Sequence, residues 1–224
     1  MEKAILVFRS DTMPSGPTAA LVARLSEALA PLARALAIHA PDPSATPDLL
    51  EALGPLYDPT LWGAASLWLD SLEDPEALCA AAAFMGPSAL YSVVESAARD
   101  YPAAPAGRSS GLTLLALFRR HPALTMEQFM ARWRQHTALS HRIHPLTRYH
   151  RNRVAYRAAG DGEAWDGIVE ERVARPEDLR PENFYLGEGA QELAGRDIAE
   201  FIDVAQNMKC ALCSEWIVKP PAWL

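Results

Sequence analysis

Cysteine is scarce: Cys79, Cys210 and Cys213 are the only three in 224 residues. An odd, sparse set does not make a disulfide framework, so the thiols read as reduced and the cytoplasm is the expected compartment. Long apolar runs are also missing. Stretches such as Ala77 to Met85 fall far short of the ~20 residues that span a bilayer, and MEKAILVFRS begins a strand-like run with neither an h-region nor a cleavage site. No membrane partner is expected. Basic charge is in deficit, with 21 Lys and Arg against 28 Asp and Glu and a net charge of −7. No field exists to condense on phosphates, so nucleic acid is not an expected partner either.

Gly-rich phosphate loops, a nucleophile elbow and a dinucleotide fingerprint after the first strand are absent. Metal frames are absent too. His136, His141, His144 and His150 have spacings that match no recognised ligand set. Cys210 and Cys213 lie on a strand-like run, where residues three apart point to opposite faces and cannot clamp one ion. Neither a metal nor any other cofactor is expected.

What is present is a globular balance, 50% apolar and 22% charged. Pro, Ala, Gly and Ser interrupt the periodic pattern at Tyr101 to Gly111 and read as a linker that halves the chain. Each half opens with a strand-like run, Lys3 to Ser10 and Leu112 to Arg120, followed by a helix. The second helix is announced by a capping box, Thr125 with Gln128, and carries Phe129, Trp133, His136 and Ser140 on one face. Its counterpart is Pro17 to Ala30.

Second strands follow at Ala33 to Ala40 and Arg148 to Tyr156. Third strands enter through a Trp and a Gly, Trp62-Gly63 and Trp165-Asp166-Gly167. Helices at Pro75 to Met85 and Ala190 to Asp203, then strands at Ala89 to Ser96 and Met208 to Val218, complete each half. The order in both is β-α-β-β-α-β, the ferredoxin-like arrangement, in which helices cover one sheet face. The expected fold is therefore α+β: two tandem modules, 1–105 and 106–224, whose open faces bury each other in an intrachain pseudo-dimer similar to the dimeric α/β barrels. A homodimer of such chains stays open.

The second half carries, in order, Phe118-Arg119-Arg120, the loop His121-Pro122, the helix with Phe129, Trp133 and His136, the step Pro145-Leu146-Thr147-Arg148-Tyr149 with Arg151-Asn152, Asp166-Gly167-Ile168-Val169-Glu170, and Phe201-Ile202-Asp203. In these motifs it resembles the EthD family. The resemblance covers about Leu112 to Val218. Two departures stand out: Thr137-Ala138-Leu139 replaces a small-Pro step, and Glu171-Arg172 replaces an aromatic after the strand Glu. The first half has Ala28 where His136 would match, and so reads as a degenerate copy that supports one active site.

On that resemblance the expected activity is a cofactor-independent lyase, a decarboxylase or related C–C cleaving enzyme acting on a small aromatic or unsaturated carbonyl compound. The alternatives are a non-catalytic small-molecule-binding or accessory protein, and an isomerase, cyclase or oxygenase of the same fold. His136, on the face shared with Phe129 and Trp133, is the proton carrier, and the alternative is a core histidine. Tyr149 and Arg151 would hold an oxyanion or carboxylate, with Trp133, Asn152 and Asp166 as further substrate contacts. Glu170 would fix the His136 tautomer or act as a base, and an ion pair with Arg153 or Arg172 is its alternative. Which face of the strand from Arg148 to Tyr156 lines the pocket is open, because Tyr149, Arg151 and Arg153 alternate with His150 and Asn152.

Overall fold

The computed structural model describes residues 1–10, 17–99 and 106–220. In chain order the first half contains β1 (Glu2–Arg9), α1 (Thr18–Leu29), β2 (Ala35–Pro41), α2 (Pro47–Leu53), β3 (Leu61–Leu69), α3 (Pro75–Ala81) and β4 (Ser88–Arg99). The second contains β5 (Gly107–Arg108), β6 (Leu112–Phe118), α4 (Met126–Ile143), β7 (Leu146–Gly160), β8 (Gly167–Val173), α5 (Pro181–Phe184), α6 (Ala190–Ala199), α7 (Val204–Asn207) and β9 (Met208–Lys219). Of the stretch read as a linker, residues 101–105 lie outside the described ones, and β5 within it pairs with β9. No helix among the described residues is long and apolar enough to cross a membrane.

Within each half the strands take the ferredoxin-like order, β2-β3-β1-β4 and β7-β8-β6-β9. The halves then join edge to edge, β4 to β7 and β9 to β2, so that eight antiparallel strands close into one barrel. Closure pairs the edge strands that two separate sheets would leave bare. It also buries both faces of most strands. All seven residues of β6, LTLLALF, are buried, which is why its sequence shows no alternation.

The barrel interior has two parts. Ile5, Val7, Tyr91, Leu115, Leu117, Val154 and Ile168 fill one part with apolar side chains from both halves. The other part is ionic. Lys3 Nζ lies 2.6 Å from Glu95 and 3.2 Å from Glu170, and Glu215 accepts from Arg148 and, at 2.9 Å, from Arg172. Three cations meet three carboxylates there, with His39 and His150 among them.

Outside the barrel the first half packs α1 and α3 on its strands through Leu21, Leu25, Trp62, Leu78 and Met85. In the second half α4 starts at its capping box, where Thr125 Oγ1 accepts from Gln128 N at 3.2 Å and Gln128 Oε1 accepts from Thr125 N at 2.8 Å. The buried stripe Phe129, Trp133, His136, Ser140 and Ile143 then faces the sheet.

Candidate active site

A cavity of about 190 Å³ lies between that stripe, α6 and the outer face of the second-half sheet. Trp133 and Tyr149 stand on its wall with Phe118, and the Trp133 ring meets Phe118 edge-on at 4.9 Å. Gly167 makes this contact fit: a Cβ there would sit 2.5 Å from one Phe118 carbon and 2.9 Å from one Trp133 carbon. Gly167→Ala is therefore expected to cost about 1–3 kcal/mol by overpacking and to shift Trp133. Thermal melting together with tryptophan emission checks this, and unchanged values of both would disprove the account.

The first half contributes to the same cavity. Ala52 and Leu53 of α2, with Leu56, line it, while Leu49 belongs to the second half's apolar core. The sequence reading places no element between the second and third strands. The signals were present, since Pro47 occupies the first turn and Gly54 the C-cap of α2. Helix α2 of the first half thus covers part of the cavity.

His136 lines the cavity and is only 6% exposed. Its Nδ1 lies 2.7 Å from Asp197 Oδ2 and its Nε2 lies 3.1 Å from Ser140 Oγ. With Asp197 accepting from Nδ1–H, Nε2 is left to accept from the serine hydroxyl. Burial lowers the imidazole pKa, and Asp197 opposes that shift. Asp197 was not among the sequence candidates. Its signal was helical phase, because it precedes Phe201 by four residues and Phe201 packs on His136 at 5.2 Å.

Tyr149 is 1% exposed and accepts a hydrogen bond from Trp133 Nε1 at 3.2 Å. Burial first, and then the charge of Glu171, push its phenol well above the usual range, so its proton stays in place as a donor. Glu171 stands opposite Tyr149 in the β7–β8 register and lines the cavity. Among the described residues it has neither a hydrogen bond nor an ion pair. Burial alone lifts its carboxyl to about 7. Tyr185, Gln191 and His144 add to the polar lining, His144 stacked on Phe184 at 4.1 Å and held neutral by burial, which lowers it to about 4. No lysine or arginine is among the described lining residues.

Of the residues expected at the site, the structure brings together His136, Trp133 and Tyr149. Glu170 is not beside His136. Strand alternation turns it into the barrel, where it accepts from Lys3, from Ser66 Oγ at 3.0 Å and from Asn152 Nδ2 at 3.3 Å. Asp197 occupies the place proposed for it. Asn152 shares the barrel side and is fully buried, which answers the question of faces: Tyr149 and Arg151 look toward α4, His150 and Asn152 inward. Asp166 bonds Arg120 at 2.7 Å. Arg151 lies beyond Trp133, with its guanidinium 6.0 Å from the ring centre, and does not line the cavity. The sequence assigns the pocket carboxylate to Glu170 and leaves Glu171 out. Its signal was its place between Val169 and Val173 at period two, a carboxylate on an apolar face.

Cys210 and Cys213 face opposite sides of β9, one toward the helices and one into the barrel. Among the described residues no three His, Cys, Asp or Glu side chains converge in a metal-holding group.

Two ferredoxin-like halves closed into one barrel define the fold of the dimeric α/β barrels, here within a single chain. An anthrone oxidase-like protein superposes on all of this chain and 96% of its own, with TM-score 0.60 and 11% identity. A variant of chlorite dismutase from Candidatus Nitrospira defluvii covers 97% of this chain and 92% of its own, with TM-score 0.49 and 10% identity. At 11% identity the likeness to the anthrone oxidase-like protein is one of fold. No family model and no curated protein matches the chain.

Proposed function

We propose that the cavity carries out cofactor-independent oxygenation of a small, neutral, weakly acidic aromatic ketone or phenol, begun by proton removal from carbon. The feature that carries this reading is Glu171, a buried carboxyl with no hydrogen bond or ion pair among the described residues, which lines an apolar cavity where burial lifts its pKa to about 7. In its charged form it accepts a proton from a methylene acidified by the flanking carbonyl or ring. The Tyr149 hydroxyl donates to the enolate oxygen that develops. Dioxygen takes up the carbanion as a hydroperoxide, protonated by the Glu171 carboxyl. Loss of the second C–H proton with O–O cleavage then gives a carbonyl and water, so that CH₂ and O₂ become C=O and H₂O. The His136–Asp197 pair is the second acceptor, able to take a phenolic proton at Nε2 in place of the Ser140 bond.

An anthrone, the compound in the name of the similar protein, is a neutral tricyclic ketone with such a methylene. Similarity of fold supports the choice of probe and no more. The lyase of the sequence reading has less support, because a carboxylate substrate finds no cation in the lining and meets Glu171 instead. Assignment of the second half to EthD itself rests on the motifs alone.

The test is anthrone incubated anaerobically in D₂O, and then in air with an oxygen electrode. Exchange at the methylene and one O₂ consumed per quinone are expected. His136→Ala is expected to lower the rate on a phenol-bearing anthrone by about 10² to 10⁴ and to change the rate on anthrone itself far less. Release of CO₂ from aromatic acids without methylene exchange would overturn the reading in favour of a lyase. Binding of anthrone with neither reaction would favour the accessory protein.

A further inference from the structure

Beyond Tyr149 on the same face of β7, Arg151 adjoins His141 and Arg99, with Arg134 acting on it electrostatically, and among the described residues no carboxylate pairs with these guanidinium groups. Arg151 Nε and Nη1 are buried and have no hydrogen-bond partner, and His141 Nε2 is buried and unpartnered as well. Leaving buried polar atoms of this kind unmatched is costly. Buried polar atoms without partners point to a group that satisfies them. The two residues belong to one electrostatic neighbourhood, since burial, then Arg99 and Arg151, depress the His141 imidazole. Arg134 in turn acts on Arg151.

Arg99, at the end of β4 in the other half, is fixed by two carbonyls, donating to Leu146 O at 2.6 Å and to His141 O at 3.2 Å. Those bonds position its guanidinium without neutralising it. Among the described residues no carboxylate pairs with Arg99, Arg134 or Arg151, whereas Arg9, Arg120 and Arg172 each hold one. A cluster of unopposed guanidinium groups in a chain of net charge −7 is a local exception to the protein's own pattern. Arginine is also the side chain best suited to planar oxyanions.

We propose that Arg151 and His141, with Arg99 and Arg134 around them, bind an oxyanion, a carboxylate or phosphate group, at a site separate from the cavity and built against its wall. The wall contact is direct, because Arg151 lies over Trp133 and the His141 ring meets Tyr149 edge-on at 5.7 Å. An anion held there steadies the two side chains that shape the cavity. The site stands independently of the oxygenation reading, because none of the four residues takes part in that chemistry.

The experiment titrates the full chain with sodium phosphate, and separately with 1-naphthoate, at constant ionic strength kept by chloride. Tryptophan emission and thermal melting are followed for wild type, Arg151→Gln and His141→Gln. Saturable phosphate binding with a rise in melting temperature is expected in wild type. Affinity should fall at least about tenfold in Arg151→Gln, the usual consequence of losing one charge-assisted contact. A free anion as ligand predicts phosphate tighter than naphthoate. An acidic arm of a larger aromatic ligand predicts the reverse, with the advantage lost in Arg151→Gln. If Arg151→Gln does not fold, His141→Gln and Arg134→Gln carry the comparison. Absence of saturable binding of both probes to wild type, or equal affinity in wild type and variants, overturns the site.

Discussion

Replacing Glu170 by alanine is expected to lower the unfolding free energy by about 3–5 kcal/mol while leaving the turnover of the folded protein unchanged. Glu170 is fully enclosed by the barrel and accepts from Lys3, Ser66 and Asn152. Its removal leaves the buried Lys3 ammonium with Glu95 alone, and leaves three cations facing two carboxylates. Breaking one partner out of such a set strands a charge in a medium that solvates it poorly, which costs far more than the net value of the pair. For a chain of this length each kcal/mol corresponds to about 2–4 °C in melting temperature, so a drop of about 10 °C is anticipated.

The acid limb of the stability curve gives a second reading. Burial pushes Glu95 and Glu170 up, but Lys3 and the nearby histidines outweigh it, holding Glu95 down to about 2 and Glu170 lower still. Carboxyls depressed in the folded state contribute stability that is fully present above their unfolded value of about 4.5 and is lost as pH falls toward 2. Glu170→Ala should flatten that decline. A variant that melts like wild type and has lost turnover would return Glu170 to the catalytic role first read from the sequence.

Glu170 and Glu171 also show where the sequence was legible and where it was not. Element order came through, because strand-forming runs and the Thr125 capping box depend on local chemistry that a single chain displays. The phase of the α4 stripe came through for the same reason and placed His136 and Trp133 correctly. Faces of strands did not, since barrel closure buries both sides of β6 and β8 and removes the polar alternation that marks an outer face. In β8 two adjacent glutamates then look equivalent, and only the partners supplied by the other half tell them apart. Lys3 and Ser66 claim one; nothing described claims the other. Asp197 and the cover from α2 were hidden for a related reason, because both reach the cavity across contacts distant in sequence.

Substituting Glu171 by glutamine is expected to produce two effects of opposite sign, a loss of turnover and a gain of stability at alkaline pH. Turnover should fall by about 10² to 10⁴, the usual range for removing a general base, while Gln keeps the shape and hydrogen-bonding reach of the side chain. In wild type the rate should rise with pH through about 7 as the carboxyl ionises, then level off. The stability effect follows from the same titration. Burial raises this carboxyl from 4.5 to about 7, so the fold favours the neutral acid. The corresponding stability is fully present below about 4.5 and is lost as pH rises through 7, a loss of about 3 kcal/mol once the carboxylate is fully charged. Glutamine never bears that charge. Near pH 8.5 the variant should therefore be more stable than wild type by about 3 kcal/mol, and at pH 4.5 the two should be alike. Urea unfolding at both pH values, with anthrone turnover measured across the range, checks the whole set. An active Glu171→Gln enzyme would remove the base, and a variant less stable than wild type at pH 8.5 would mean that the charged carboxylate has a partner after all. Stability surrendered at working pH to keep an ionisable group in an apolar wall is what a catalytic carboxyl requires, and a purely structural one has no reason to show it.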